Sequence, residues 1–484
     1  MKLNFETYRK KVYGCFIGKN IGGTIGTPYE SKREMQDIEG FVTKPGEVLP
    51  NDDLDLQLVW LKAVEDTGSL GLDSKRLGEF WISYITPHWN EYGISKKNMK
   101  AGLLPPLSGD AFNSWRDSNG AWIRTEIWAA LAPACPDVAL KYAFEDASVD
   151  HGMGEGTTAA VFVAAMESAA YVISDIRRLI NIGLSKIPET SRVAMSIRLL
   201  LDCYDKGIGY RQAREIIRES NSDIGDGWFE APSNVAYAML GLLYGEGDFK
   251  KSVIYATNCG DDTDCTAATV GAILGIIGGI EGIPVDWRAY LGDNIVTVSI
   301  ACGVMARVPK TCTELTDRVV KAAPMVLLEN GADVSFTDGE AEMPDGLYEL
   351  FSGNEVSGEL LARPAYSFTH EMGFATAMVT HEGDPKIAPC ETRKLTVSFK
   401  NNWKVYGNSP FFMRLNWILP DGFSVKGTKS LTLNAYNAHS LDCSATVEFD
   451  ITAGEYIESS NRLVLEVETD GRPTVAYIPV VFVG

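Results

Sequence analysis

Two short runs of carboxylates stand out in this chain: Asn51-Asp52-Asp53-Leu54-Asp55 and, about 200 residues later, Gly260-Asp261-Asp262-Thr263-Asp264-Cys265. Each leads into an apolar stretch of helical spacing. Asp and Asn are favoured helix caps and sit well at the positive end of the helix dipole, so either run alone reads as a cap. One cap needs one acceptor, however. Crowded carboxylates repel one another and raise each other's pKa unless a cation neutralises them. If the two runs meet in space, they make a site for hard divalent cations held by oxygen ligands. A pair of such ions about 3.5–4 Å apart activates water and grips neighbouring substrate oxygens.

Three further segments carry chemistry or its look-alike. Gly22-Gly23-Thr24-Ile25-Gly26-Thr27-Pro28-Tyr29-Glu30 reads as a tight turn between helices, and it lacks the spacing and lysine of a nucleotide-binding P-loop. Ser118-Asn119-Gly120-Ala121-Trp122-Ile123-Arg124 is a turn opening into a helix. Its backbone N–H groups could bind phosphate oxygens, with Arg124 adding charge, or it is an ordinary loop with a salt-bridged arginine. Asp150-His151-Gly152-Met153-Gly154-Glu155-Gly156 stands at the head of a small-residue helix, where a lone histidine more often holds structure than catalyses.

The secondary structure that would carry these residues is of two kinds. The first 310 or so residues read as helices and the last 120 or so as strands. Leu56, Val59, Trp60, Ala63 and Val64 recur at the spacing of an amphipathic helix. The ranges 129–147, 157–171, 193–204, 210–218, 234–244 and 266–280 read likewise, several rich in the Ala and Gly that let helices approach closely. Beyond residue 330 the period changes to two, in Leu395–Phe399, Phe412–Trp417, Ala445–Phe449 and Leu463–Val467, with turn residues such as Pro420-Asp421-Gly422 between them. Strands so spaced predict a small β-sandwich. The expected fold is mainly α: a helical domain over 1–325, a connection over 326–364 and a sandwich over 365–484.

Composition narrows the partners. With 484 residues, 45% of them hydrophobic and 22% charged, the chain is a globular protein of more than one domain. A formal charge of -20 excludes the broad basic surface that nucleic acid or an anionic membrane would require. The longest apolar run, Ala267 to Ile280, is about 14 residues, too short for a bilayer and suited to a buried helix. Met1 to Glu6 lead into charged residues with no apolar signal core, and nine cysteines without CxxC pairs read as reduced thiols. A cytoplasmic location is the expectation.

Taken in order, these motifs resemble the ADP-ribosylglycohydrolase family, which includes the dinitrogenase reductase-activating glycohydrolases. The matching series is the Gly-rich stretch ending in Pro28-Tyr29-Glu30, then Asn51-Asp52-Asp53, Gly120-Ala121-Trp122-Ile123-Arg124, His151, and Gly260 to Cys265 before Ala267-Ala268. The resemblance covers about residues 8–310 and stops short of the strand region. It implies an all-helical fold and two magnesium or manganese ions held by Asn51, Asp52, Asp53, Asp262 and Asp264, with Asp261 a neighbour. Asn51 stands where the family has Thr, and Cys265 where a second Thr would bring a hydroxyl.

The implied reaction is hydrolysis of the bond joining ADP-ribose, or a related riboside, to a protein side chain or small molecule. Glu30, Asp53 and Asp262 are the expected catalytic residues, with Glu30 positioning substrate or relaying the leaving group's proton. Carboxylates beside the ring would stabilise an oxocarbenium-like transition state. Ser118, Asn119, Gly120, Ala121 and Arg124 would hold the diphosphate and His151 the distal part of the ligand. Two alternatives remain: a glycosidase with the same metal core acting on another sugar or nucleoside-type substrate, and a non-catalytic ADP-ribose-binding protein. The stretch from Trp81 to Leu107, with Trp81, Tyr84, Trp89 and Tyr92, could reshape the pocket by stacking on a sugar or base.

Overall fold

A computed structural model describes residues 1–225, 229–402, 410–434, 443–473 and 475–484. The chain divides into two units, one formed by Met1–Gly93 with Ser114–Ala362 and the other by Ile94–Asn113 with Arg363–Gly484.

The first unit is helical, as the 3.6-residue periodicity predicts, and its centre is an antiparallel helix pair. Helix Phe5–Gly26 carries glycines at 14, 18, 22 and 26, one every four residues and therefore on one face. Helix Thr263–Gly278 presents Gly275, Gly271 and Ala267 in return. A Cβ built on Gly22 would lie 2.1 Å from the carbonyl oxygen of Ala267, and one on Gly275 2.1 Å from that of Gly14. The seam is backbone against backbone. The glycine-rich run expected to turn is thus helical through Gly26, because its glycines serve close approach and not a reversal. Only at Thr27–Tyr29 does the chain tighten into a 3-10 turn, with Pro28 inside it.

Most of the expected helices occur, at Asp52–Thr67, Glu155–Ala170, Arg192–Asp205, Tyr210–Ser220, Ala231–Gly245 and Thr263–Gly278. The range 129–147 does not form one helix. It breaks after Leu131 and restarts at Pro136, since Pro133 and Pro136 each lack the N–H the ladder needs. The second helix runs on to His151, so His151 closes that helix and does not head the next one, which begins at Glu155. A parallel pair of short strands, β1 (Lys2–Asn4) and β2 (Ser335–Thr337), ties the N-terminus to the segment after helix Cys312–Glu329.

The second unit holds β3 (Ser367–Glu371), β4 (Ala375–His381), β5 (Thr392–Asn401), β6 (Phe411–Ile418), β7 (Ser424–Gly427), β8 (Ser430–Leu433), β9 (Ser444–Thr452), β10 (Ser460–Thr469) and β11 (Val475–Val483). Their pairings are antiparallel, in sheets of order β11-β10-β6-β8 and β3-β4-β5-β9-β7. Alternate residues such as Leu395, Val397 and Phe399 point inward beside Leu463, Leu465 and Val467, which is what period-two patterning requires. Leu103, Leu107 and Ala111, from the stretch inserted in the helical half of the sequence, are buried in this same core.

Candidate active site

The glycine seam decides where the acidic runs meet. Because the two helices run antiparallel, Gly26 lies against Asp264: a Cβ on Gly26 would fall 2.3 Å from the Asp264 Cα. The Glu30 segment is then pinned to the second acidic run by paired backbone bonds, Ser31 N–H to Asp261 O at 2.9 Å and Asp261 N–H to Lys32 O at 2.7 Å. Gly260 and Asp261 both take positive φ to make this turn. The Asp261 carboxylate faces away from the cluster, accepting from the Phe229 N–H and from Asn234.

Helix Asp52–Thr67 brings in the first acidic run. The side-chain oxygen of Asn51 accepts from the Asp53 N–H at 2.7 Å, an N-cap, and its Nδ2 stands 3.5 Å from Asp264 Oδ2. The Asn51 oxygen thus accepts one bond from the helix with a second lone pair left over, and its N–H₂ end faces Asp264. Asp52 accepts from the Tyr92 hydroxyl at 3.1 Å. Asp53 is fully buried, with Cys265 Sγ donating to its Oδ1 at 3.3 Å and Lys19 Nζ 3.6 Å from its Oδ2. Asp262 accepts from Asn119 Nδ2 at 2.6 Å. Asp55, the last acid of the first run, accepts the backbone N–H groups of Val298 and Ser299 at 2.6 Å each and so fixes a loop at the cavity edge.

Carboxylate oxygens of Glu30, Asp262 and Asp264 come within 4.8 Å of one another, as do the ligand atoms of Asp53, Asp264 and Cys265. All open onto, or stand just behind, a cavity of about 460 Å³ whose walls include Glu30, Asp52, Asp262, Asp264 and Cys265. Crowding pushes these acids up. Asp264 and then burial lift Glu30 to about 8, and burial and then Asp264 lift Asp52 to about 6. Burial raises Asp53, Asp262 and Asp264, and it raises the Cys265 thiol, which stays protonated. Among the described residues Asp264 Oδ1 is buried with no hydrogen-bond partner, and Asp53 Oδ2 is buried with only the Lys19 ammonium, at 3.6 Å, near it. Converging hard oxygens that repel one another and lack donors fit divalent cations.

Behind Asp53 lies a buried ionic group that sequence reading missed. Lys19 Nζ donates to Glu126 Oε1 at 2.7 Å, and Gln57 donates to Glu126 Oε2 at 2.8 Å. Burial by itself would lower the Lys19 pKa, but Glu126 and Asp53 outweigh it and hold the ammonium charged. The visible signal was a lysine in the apolar, glycine-rich second half of its helix, Gly14–Gly26.

The remaining expected ligand contacts divide. Ser118, Asn119 and Gly120 line the cavity, while Ala121 is buried behind them. Arg124 does not reach it. Its guanidinium is 0% exposed and is spent on Asp146, on Asp150 and on the carbonyl of Gly120. It anchors the loop from behind and offers no free N–H to a phosphate. His151 is likewise buried, with Nε2 3.2 Å from the Ser118 hydroxyl and Nδ1 2.9 Å from Asp150 Oδ1, a poorly aligned contact. It supports Ser118 and does not touch the cavity. Of the four inserted aromatics, Trp89 and Tyr92 line the cavity; Trp81 is buried beneath Tyr92, and Tyr84 packs under Lys62.

The profile of the family described as ADP-ribosylglycohydrolase matches residues 4–324. The ADP-ribosylarginine hydrolase Tri1 of Serratia proteamaculans (strain 568) is 24% identical over 289 residues, covering 57% of this chain and 74% of that protein. A solved structure titled ADP-ribosylglycohydrolase-related protein complex aligns at 19% identity with a TM-score of 0.43, covering 67% of this chain and 99% of its own. Among the described residues no helix is long and apolar enough to cross a membrane.

Proposed function

The chain belongs to the ADP-ribosylglycohydrolase family of hydrolases, and from that premise we propose that it uses divalent cations to cleave the glycosidic bond of ADP-ribose or a related riboside. The observation that carries this reading is the convergence of Glu30, Asp52, Asp53, Asp262 and Asp264 from three separate segments, with buried oxygens left undonated. Asp52, Asp53, Asp262 and Asp264 would hold two magnesium or manganese ions. Such ions, when bound, supply a water of lowered pKa and polarise the ribose hydroxyls.

The side chains do the rest. Glu30, at the exposed rim, moves a proton between the attacking water and the departing group. Asp53 and Asp262 place negative charge beside the ring as positive charge develops at the anomeric carbon. Asn119 holds the Asp262 carboxylate in one orientation, and the Lys19–Glu126 pair does the same for Asp53. Ser118, Asn119 and Gly120 border whatever the ribose is joined to on its far side. A relative named for hydrolysing ADP-ribosylarginine supports a ribosyl substrate, either protein-linked or small.

The test uses the full chain with ADP-ribosyl-arginine and an aryl riboside, each with magnesium or manganese and with a chelator. Metal-dependent release of the leaving group is expected from at least one of them. The combined Asp52→Ala and Asp262→Ala variant should abolish it. Equal rates in chelator, or an active double variant, would remove the reading.

A further inference from the structure

The loop Ser118–Ala121 has the look of an anion cradle, but a carboxylate already sits over it. Glu91, in the first turn of helix Asn90–Ala101, is buried, and a Cβ built on Gly120 would stand 2.2 Å from its Oε1. The Ser118 hydroxyl hydrogen-bonds this carboxylate, and a Glu91 oxygen lies within 4.8 Å of the ligand atoms of Asp150 and His151. Its second oxygen, Oε2, is buried without a hydrogen-bond partner among the described residues. The position that a phosphate oxygen would take against this loop is held by a group of the same charge.

The charge that faces Glu91, on His151, is buried behind the loop and does not reach the cavity. Among the described residues lining the cavity there is no Lys, Arg or His, whereas Glu30, Asp52, Glu91, Asp262 and Asp264 all face it. Arg124, the guanidinium nearest the loop, is turned inward and paired with Asp146 and Asp150. What the wall next to Asp52 offers instead is flat and apolar surface. Trp89, 49% exposed, lies beside Tyr92 with ring centroids 6.4 Å apart and planes inclined by 30°, and Phe229, Ile123 and Val298 complete the walls. Aromatic rings of this kind take the face of a base or aryl group.

We propose that the substrate is an uncharged riboside of the nucleoside type, its planar aglycone against Trp89 and Tyr92, and that Glu91 excludes a diphosphate from the Ser118–Ala121 loop. The inference rests on the glycosidase reading above and narrows it. In the reaction, the oxygen of water bonds to the anomeric carbon. The bond from that carbon to the aglycone breaks with its electron pair staying on the aglycone, one proton of the water passes to the aglycone, and free ribose is the other product.

The probes are 4-nitrophenyl riboside in both anomers, ADP-ribosyl-arginine, and ADP-ribose as a calorimetric ligand, all on the full chain with magnesium or manganese. One anomer of the riboside should be hydrolysed with kcat/KM at least 100-fold above that for ADP-ribosyl-arginine. Glu91→Gln, which keeps the shape and removes the charge, should tighten ADP-ribose at least tenfold, and Glu91→Ala should do so at least as much. Trp89→Ala should raise KM for the riboside more than it lowers kcat. Turnover of ADP-ribosyl-arginine equal to or above that of the riboside overturns this inference and leaves the glycosidase reading standing. Unchanged ADP-ribose affinity in both Glu91 variants overturns it as well. Hydrolysis of neither substrate removes both readings together.

Discussion

Gly18 and Gly271 touch through their backbones: a Cβ on Gly18 would lie 2.1 Å from the Gly271 carbonyl oxygen, and one on Gly271 2.2 Å from that of Gly18. No flexible side chain stands between them to give way. Gly18→Ala or Gly271→Ala should therefore force the helices apart, at a cost of about 1–3 kcal/mol or more. The second acidic run would move with its helix. Gly278→Ala, in the same helix but with nothing within 4 Å of the added carbon, should be neutral or slightly stabilising. Denaturant melts of the three variants check the contrast; equal effects at 18 and 278 would show that the seam is not tight.

Lys19 joins the buried ion pairs to the candidate metal cluster. Lys19→Met leaves Asp53 and Glu126 buried without their cation, and breaking such a group typically costs about 3–5 kcal/mol. Adding Glu126→Gln should restore part of that stability, because one uncompensated charge goes. Urea unfolding of both variants is the measurement, and a Lys19→Met protein as stable as wild type would contradict the assignment.

Cys265 donates to Asp53 Oδ1 at 3.3 Å and lines the cavity, so its thiol belongs to the cluster and not to an apolar contact beneath the helix. A hydroxyl is a harder ligand than a thiol. Cys265→Thr should tighten magnesium binding by about 1 kcal/mol, roughly fivefold, while Cys265→Ala changes little. Calorimetry on chelator-treated protein reads the affinity. Unchanged affinity with a lower melting temperature would return Cys265 to a packing role.

His381, on β4, gives the strand unit a pH dependence of its own. It is buried against the edge of Phe482, and neither ring nitrogen has a hydrogen-bond partner among the described residues. Burial, with Arg393 adding repulsion, lowers its pKa from 6.5 to about 3. The unfolded chain therefore takes up a proton below pH 6.5 that the folded unit refuses. Stability is full above that pH and falls as the pH drops towards 3, by about 2 kcal/mol at pH 5. His381→Phe should flatten this dependence. Urea unfolding with hydrogen exchange in β4 from pH 7.5 to 5 checks it; parallel curves for both proteins would contradict it.

Cutting the chain after Ala362 should not yield a well-behaved helical fragment. Leu103, Leu107 and Ala111 are buried among strand residues such as Phe368, Val379 and Leu465, and the cut takes that core away. Aggregation is expected, relieved when the 94–113 segment is replaced by a short polar linker. A soluble, cooperatively melting fragment without that replacement would count against it.

The features legible in the residues alone are local in origin. Each run of carboxylates, the helix caps and the change from helical to period-two patterning depend on neighbours a few residues apart, and they sufficed for the mainly α fold and the strand region. Pairing at long range came from the folded chain. Arg124 stood open between a phosphate and a salt bridge until its partners proved to be Asp146 and Asp150, 22 and 26 residues away. That Asn51 caps its helix through Asp53 while turning its amide towards Asp264, 213 residues away, also shows only in the folded chain. His151 changed helices because Gly152, at positive φ, closes the earlier one. Glu91 carried no motif at all, and its meaning appears only where its carboxylate covers Gly120. A charged side chain acts through the few ångströms around it, and it is packing between distant segments that fills that space.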